Sequence, residues 1–379
     1  MNDYSEKGLL PAGLADMLPP AAAREARINR TLMEVFAGNG YQQVKPPLIE
    51  FEEHLLEGAG AALASKMFRV MDPVSHRMMG IRTDMTLQIA RVATTRMKMD
   101  PRPLRLSYSG QVLRVHGSQL RPERQFAQTG VELIGTEATT ADAELILLAS
   151  EALNALEIDN YSIDLTLPTL VPTICEGLGI APDVAASARE ALDHKDAAAL
   201  ENYEAPLSDI LIALLKAAGP AEAALATLES LSLPDAAASQ LAALKEVMTQ
   251  LHSAVPDLRL TIDPGEYRGF EYQTGLSFTV FARGVRGELG RGGRYRLMDG
   301  EPASGFTLFL DSLMRAVPRR PADDRLYLPF GTDLKTGFAL RQEGWKTVAG
   351  LAPEKDVEAE AGRLLCGQYL APEGVKKLS

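Results

Sequence analysis

Residues 112–115 and 126–134 form two runs of the β-type residues that are typical of strands, in which successive side chains point to opposite faces. The stretch between the two runs is rich in Gly, Pro and Arg. The pattern therefore predicts an antiparallel hairpin with a long basic loop.

The period of this hairpin groups polar side chains by face. Arg114 and His116 are expected on one face of the first strand, and Gln128 and Glu132 on one face of the second, with Gly130 between them. A glycine at that position leaves room for something to approach the backbone. Such a face can hold a small polar ligand, or it can be a half-exposed sheet surface that meets water.

The rest of the chain alternates between helical and strand-like patterns. Pro46 and Pro47 lack the N–H that a sheet ladder needs, so their strand is expected at an edge or an interface. In chain order we predict a helix over about 21–37, a strand over 44–50, a hairpin with strands at 68–71 and 78–82, helices from about 85 and over 139–156, a strand over 161–165, an alanine-rich helical region over about 182–252, β structure over 260–298, and short strands at 326–328 and 345–348.

Composition places the chain among ordinary globular proteins. It has 379 residues, 46% apolar and 23% charged, which suits two or three domains with a sizeable core. No apolar run approaches the roughly 20 residues that span a bilayer, and the first residues do not resemble a secretory signal. We therefore expect a cytoplasmic protein that is not bound to a membrane.

Charge and metal-binding residues exclude several classes of site. The net charge is −11, and residues 181–250 carry only four basic side chains, so extended contact with a nucleic-acid backbone is not expected. The two cysteines, Cys175 and Cys366, lie far apart and lack metal-ligand spacing, so they are expected to be buried thiols. The five histidines form no cluster. We expect neither a metal nor a cofactor.

The hairpin resembles motif 2 of class II aminoacyl-tRNA synthetases, and in particular that of histidyl-tRNA synthetase. The second strand reads F-A-Q-T-G-V-E from Phe126 to Glu132 and matches F-x-Q-x-G-x-E in full. The first strand reads L-R-V-H, where the family has F-R-x-E. Arg114 is thus kept, while His116 replaces the glutamate that faces adenine.

Two further stretches resemble the amino-acid half of the synthetase site. Residues 82–86 read R-T-D-M-T and match R-P-E-G-T, whose acidic residue and threonine hold the ammonium of histidine. Asp84 and Thr86 occupy these two positions, and Asp84 also suits a helix cap. R-G-F-E-Y-Q-T-G resembles the histidine-specific signature R-G-L-D-Y-Y-T-G. The resemblance implies that Arg268 lies near the carboxylate and that Tyr272 and Gln273 lie near the imidazole.

The nucleotide half departs from the synthetase pattern. Motif 3 should read G-F-A-x-G-x-E-R, but residues 305–312 read G-F-T-L-F-L-D-S. Phe309 stands where glycine keeps space open, and Ser312 stands where an arginine binds triphosphate. Losing such an arginine removes charge-assisted hydrogen bonds worth about 1.5–3 kcal/mol each. ATP activation is therefore expected to be lost or severely weakened.

The combination of these losses and retentions resembles the regulatory subunits of ATP phosphoribosyltransferase, which lack ATP chemistry. The resemblance implies that L-histidine binds at eight residues: Asp84, Thr86, Arg114, Gln128, Glu132, Arg268, Tyr272 and Gln273. It also implies a homodimer with Pro47 at its interface, as in motif 1. This dimer would assemble with short-form catalytic subunits into a hetero-octamer that makes the first intermediate of histidine biosynthesis under histidine feedback.

The fold implied is of the α+β class, a class II synthetase-like antiparallel sheet flanked by helices. We expect the core in two parts, 1–180 and 257–317, interrupted by a helical insertion over 181–256 and followed by a short α/β remnant over 318–379. Two other functions stay open. The chain could be a divergent histidyl-tRNA synthetase, or a module that binds another amino acid or an unrelated ligand.

Overall fold

The computed structural model describes residues 9–56, 63–117, 121–266, 273–318 and 325–378. One compact unit extends to Pro318, and a second begins at Arg319. The helices are α1 (Ala21–Gly38), α2 (Glu52–Leu56), α3 (Thr86–Thr95), α4 (Thr139–Ala155), α5 (Leu170–Gly177), α6 (Pro182–Asp193), α7 (Ala197–Leu200), α8 (Leu207–Ala217), α9 (Ala221–Glu229), α10 (Asp235–Ala254), α11 (Leu310–Ala316), α12 (Leu334–Gln342) and α13 (Val357–Arg363).

The strands form three sheets. They are β1 (Gln42–Gln43), β2 (Ile49–Phe51), β3 (Arg69–Met71), β4 (Met78–Ile81), β5 (Leu104–Leu113), β6 (Gln125–Ile134), β7 (Tyr161–Thr166), β8 (Gly219–Pro220), β9 (Leu260–Ile262), β10 (Gln273–Ala282), β11 (Gly290–Arg296), β12 (Pro302–Phe309), β13 (Arg325–Leu328), β14 (Lys346–Ala349), β15 (Gln368–Ala371) and β16 (Gly374–Lys377). This mixture confirms the predicted α+β class.

The largest sheet has the strand order β1-β5-β6-β12-β11-β10-β7-β9-β8. Its central strands, from β5 to β7, are antiparallel to one another. Helices cover one face of the sheet: Ile28, Leu32 and Phe36 of α1 pack into the same buried cluster as side chains of α4, α5, α8 and α10. This layer is the main hydrophobic core of the first unit.

On the opposite face of the sheet, Met85 before α3 and Ile89 within it pack with Tyr108, Phe126 and Tyr295 in a second buried cluster. Because strand residues two apart share a face, this is also the face of Gln128 and Glu132. It is the face that carries the candidate site.

Two predicted strands differ from those observed. The first hairpin strand begins at Leu104 and ends at Leu113, so Arg114 and His116 follow the strand and do not share one of its faces. The reason is that the N–H of Arg114 donates to Arg124 O, whereas that of Val115 donates to Lys66 O, in another segment. The chain leaves the ladder here, and His116 is exposed.

The predicted strand over 44–50 is two short strands separated by the prolines. β1 precedes them at the edge of the large sheet, and β2 follows at the edge of a three-stranded sheet with β4 and β3. The edge position was predicted, and it follows from the missing proline N–H groups. Pro46 and Pro47 instead use their carbonyl groups, which accept hydrogen bonds from Arg82 (3.2 Å) and Gln88 (2.8 Å).

The alanine-rich region is helical from α6 to α10, as predicted, and β8 joins it to the large sheet. The second unit has a four-stranded sheet of order β14-β13-β15-β16, which confirms the two predicted strands there. Cys175 and Cys366 are buried thiols, as expected. None of the helices in the described ranges combines the length and apolar character needed to cross a bilayer.

The packing at Gly305 yields a first testable prediction. A Cβ at this position would overlap the Glu132 carboxyl group and the carbonyl of Val131. Gly305→Ala should therefore lower the free energy of unfolding by about 1–3 kcal/mol, the usual cost of overpacking a core. Urea denaturation at fixed pH measures this.

Gly38→Ala is the matched control. Gly38 is the last residue of α1, and an added Cβ would have no neighbour within 4 Å. Alanine there should be neutral or should stabilise by about 0.5–1 kcal/mol. Equal effects of the two substitutions would contradict the assigned packing.

Candidate functional site

Glu132 lies at the centre of the candidate site, on β6 between β5 and β12. Glu132 is only 1% exposed to solvent. Tyr108 donates to Oε1 at 3.1 Å and Tyr295 donates to Oε2 at 2.9 Å. The hydroxyl of Tyr108 also lies 2.8 Å from Oγ1 of Thr307. Four strands thus hold one carboxyl group, because Tyr108 comes from β5, Tyr295 from β11 and Thr307 from β12.

The surroundings of Glu132 determine its charge. Burial raises the pKa of its carboxyl group to about 8, and the negative charge of Asp84 acts in the same direction. The hydrogen bonds that the group accepts lower its pKa but do not offset burial. At neutral pH the carboxyl group is therefore largely protonated and can donate one hydrogen bond. Burial also raises the pKa of Tyr108 well above its usual value, so its phenol stays neutral.

Asp84 and Thr86 lie at the start of α3, beside Glu132. Oδ1 of Asp84 accepts from the backbone N–H of Thr86 at 2.9 Å, and Oδ2 accepts from Nε2 of Gln128 at 2.8 Å. Oγ1 of Thr86 lies 3.4 Å from the hydroxyl of Tyr108. The N-cap of α3 is Met85 and not Asp84, so the capping alternative was wrong. Asp84 precedes the cap, accepts from the first helical N–H and belongs to the network of the site.

Gln128 is completely buried and fixes the position of Asp84 by a hydrogen bond. Its Oε1 accepts from the backbone N–H of Met85 at 3.1 Å while its Nε2 donates to Asp84. Both the oxygen and the nitrogen of the Gln128 amide are thus hydrogen-bonded to residues just before α3. Gly130, between Gln128 and Glu132, makes room for the Tyr108 hydroxyl and not for a ligand, because an added Cβ would overlap that oxygen. The face is therefore not a solvated sheet surface.

Arg114 lies at the mouth of the pocket, just after β5. Its Nε is 3.5 Å from Thr83 O, and its guanidinium carbon lies 5.0 Å from the centre of the Phe126 ring. Burial lowers the pKa of Arg114, while the charge of Asp84 raises it. The guanidinium stays charged, because the ordinary pKa of arginine lies far above neutral pH.

One cavity connects these groups with the motif 3 end of the sheet. Asp84, Thr86, Arg114, Glu132 and Gln273 line it. Gln273 begins β10, and its Oε1 accepts from Ser277 Oγ at 2.6 Å. Arg268 and Tyr272 lie outside the described residues. The same cavity continues to residues near α11, including Arg121, Phe309 and Ser312.

The arrangement suits a small zwitterion with a heteroaromatic side chain. An ammonium group matches the oxygens of Asp84 and Thr86, a carboxylate matches Arg114, and an imidazole nitrogen matches the carboxyl group of Glu132. No group of three or more His, Cys, Asp or Glu residues in the described part of the chain has the geometry of a metal site. The chemistry offered here is recognition of a small molecule by hydrogen bonds.

Sequence reasoning missed Tyr108, Tyr295 and Thr307. Each lies on a strand of the large sheet other than β6. The period of a strand gives the face on which a side chain lies, but not which strand lies beside Glu132, so the sequence carries no local signal for these three residues.

Comparison with known proteins identifies the relatives of this fold. The family profile described as histidyl-tRNA synthetase matches residues 13–313. An ATP phosphoribosyltransferase regulatory subunit from Rhodospirillum centenum is 56% identical over 371 residues, covering 98% of this chain and 96% of that protein. A protein of the same name from Paramagnetospirillum magneticum is 52% identical, covering 99% of each.

A solved structure has the same fold. It is described as an ATP phosphoribosyltransferase regulatory subunit/histidyl-tRNA synthetase from Bacillus halodurans, and it superposes with a TM-score of 0.82 over 94% of this chain and 96% of that one. Its sequence identity is 24%, so this match supports the architecture alone.

The raised pKa of Glu132 predicts how stability depends on pH. In the unfolded chain a glutamate loses its proton near pH 4.3, whereas native Glu132 keeps it to about 8. The native state thus binds one more proton between these values, so this residue makes the free energy of unfolding fall as pH rises, by up to about 1.4 kcal/mol per unit. Glu132→Gln, neutral and isosteric, should remove that slope in urea denaturation between pH 5.5 and 7.5.

Glu144→Gln serves as the control for this experiment. Arg105 lowers the pKa of Glu144, so the stability this residue contributes is lost only as pH falls below the usual glutamate range. The slope between pH 5.5 and 7.5 should persist in this variant. An unchanged slope in Glu132→Gln would show that Glu132 is ionised in the native state.

Proposed function

The chain belongs to the ATP phosphoribosyltransferase regulatory subunit family, and we propose that it is a non-catalytic subunit that binds free L-histidine for feedback control. In this proposal a separate short-form catalytic chain transfers phosphoribose to ATP in the first step of histidine biosynthesis. That catalytic chain requires the present subunit for activity. The subunits form a hetero-octamer in which this chain dimerises through the segment around Pro47.

One observation carries the proposal: four of the residues expected to bind the amino acid line one cavity, while the nucleotide half of that cavity is altered. Asp84, Thr86, Arg114 and Glu132 surround one end of the cavity with groups that match an ammonium, a carboxylate and an imidazole. At the other end the motif 3 arginine is absent, and Ser312 in its place is buried and accepts a hydrogen bond from Arg315 at 2.9 Å.

This division disfavours a divergent histidyl-tRNA synthetase. Aminoacylation needs a triphosphate held in line with the amino-acid carboxylate, a task of positioning and charge neutralisation. His116, which replaces the adenine-facing glutamate, is exposed and follows the strand. A binding module for an aliphatic amino acid is also disfavoured, because the neutral carboxyl group of Glu132 and its two phenols would face a side chain without a hydrogen-bonding group.

Feedback requires that histidine bind two arrangements of the complex with different affinity. A ligand shifts an equilibrium only by that difference, and the coupling between its site and the catalytic site is reciprocal. We propose that closure of the pocket around histidine favours the arrangement in which the catalytic partner is inhibited. The coupling typical of such systems, 1–3 kcal/mol, corresponds to about 5–150-fold in affinity.

Titration calorimetry of the full chain with L-histidine and separately with ATP tests the binding part of the proposal. We expect histidine to bind without ATP, and Glu132→Ala or Asp84→Ala to weaken it at least tenfold because each removes a group that pairs with the ligand. Glu144→Gln should bind histidine as the wild type does, because the Glu144 carboxylate pairs with Arg105 away from the cavity. Adenylate formation, detected by pyrophosphate exchange, would return the chain to the synthetases.

A reconstituted complex tests the regulatory part. Adding this chain to the short catalytic subunit should raise the rate of phosphoribosyl-ATP formation, and histidine should then inhibit it. Glu132→Ala and Arg268→Ala should keep the activation but lose the inhibition. Histidine inhibition that persists unchanged in both variants would contradict the proposal.

The shared proton of the pocket predicts a bell-shaped pH dependence of histidine binding. Glu132 and an imidazole can share one proton, and the free partners together hold one proton between the imidazole pKa near 6.5 and the Glu132 pKa of about 8. Histidine affinity should therefore be highest in this window and fall on both sides. In Glu132→Gln the fall above pH 8 should be smaller, because only the loss of the ligand's ammonium proton remains to cause it. A maximum between pH 4.5 and 6 would mean that Glu132 is ionised before the ligand binds.

A further inference from the structure

Arg121 covers two aromatic rings at the far end of the cavity. Its guanidinium carbon lies 3.9 Å from the centre of the Phe309 ring and 4.8 Å from that of the Phe126 ring. The rings are 6.1 Å apart and nearly perpendicular, at 75°. Arg121 therefore fills the corner between them. A cation in this position is held by the ring faces, the more strongly as water is excluded.

Charge pairing fixes Arg121 in this corner. Its Nε lies 3.1 Å from Oδ2 of Asp311, and its Nη2 lies 3.4 Å from Oγ of Ser312. The side chains of Arg121 and Asp311 are only 11% and 12% exposed, respectively. Arg315 reaches the same two residues from the solvent side, at 3.4 Å and 2.9 Å, without covering a ring.

The position of Arg121 matters because the corner opens into the pocket. Arg121, Phe309 and Ser312 line the same cavity as Glu132 and Arg114. A ligand whose carboxylate lies at Arg114 and that extends further would reach this corner. A purine needs the face of an aromatic ring or a guanidinium plane to stack on, and here the faces of Phe126 and Phe309 are already covered by the chain itself.

We propose that Arg121 is a specificity-determining residue that limits the length of the ligand, admitting a free amino acid and excluding nucleotides and aminoacyl-adenylates. This inference rests on the proposed function in one respect, that the other end of the cavity binds an amino acid. Exclusion is steric, because the Arg121 side chain occupies the space in which a purine would stack.

Removing the side chain should therefore create nucleotide affinity. The probes are AMP and a non-hydrolysable sulfamoyl analogue of histidyl-adenylate, titrated into the full chain by calorimetry. Arg121→Ala should bind both at least tenfold more tightly than the wild type, with histidine affinity changed less than threefold. Arg121→Met, which refills the corner without charge, should still exclude AMP.

Arg315→Ala is the matched control, because it removes an arginine from the same two partners but leaves the rings covered. It should gain no affinity for AMP. Asp311→Ala, which releases Arg121 from its ion pair, should gain affinity in the same direction as Arg121→Ala but to a smaller extent. It serves as the second variant if Arg121→Ala does not fold.

Two results would overturn the proposal. One is a folded Arg121→Ala that binds AMP and the analogue no better than the wild type. The other is a loss of histidine affinity of tenfold or more in that variant, which would make Arg121 part of the amino-acid site. Failure of the wild type to bind histidine would contradict the proposed function instead, and the AMP titration would still test Arg121.

Discussion

The burial of a single carboxyl group is the constraint on which this site depends. A carboxylate is costly to transfer from water unless it is paired with a cation, so a buried one tends to take up a proton. Glu132 does so, and it accepts hydrogen bonds from two phenols on neighbouring strands. The arrangement requires a glycine at position 305, directly opposite in the ladder, because any larger residue would occupy the space of the carboxyl group. The register of β6 and β12 and the chemistry of the pocket therefore depend on each other.

The segment between β4 and α3 connects this pocket with the proline segment at the sheet edge. Arg82 is buried and donates to Gln111 O and Pro46 O, and Gln88 donates to Pro47 O. Between them the same segment carries the two groups proposed for the ligand ammonium. A shift of this segment on ligand binding would act directly on the proline carbonyls. Under the proposed function, this is a contiguous route from histidine to the surface proposed for dimerisation, although only different affinities in two arrangements would make it regulatory.

Local sequence patterns were sufficient where the side-chain period alone decided the outcome. The hairpin strand that carries Gln128 and Glu132 was predicted with its faces, because its ladder is regular over its whole length. The position of Arg114 was not, because the end of β5 depends on hydrogen bonds to Arg124 and Lys66. The partners of Glu132 were also beyond local reasoning. Tyr108 lies 24 residues from it in sequence and Tyr295 lies 163, and only the strand order brings them together.

The two halves of the site can change independently because different elements build them. The amino-acid half rests on β5, β6, β11 and the start of α3, where each polar group is held by a partner within the protein. The nucleotide half rests on the end of β12, the start of α11 and the loop residue Arg121. A residue such as Ser312 therefore affects ion pairs near α11 and leaves the hydrogen bonds of Glu132 intact. The two halves meet at Phe126, whose ring both Arg114 and Arg121 contact, whereas Glu132 accepts hydrogen bonds from two phenols and Ser312 from two guanidinium groups. Under the proposed function, a substitution at Ser312 therefore changes nucleotide chemistry with little effect on the hydrogen bonds of Glu132.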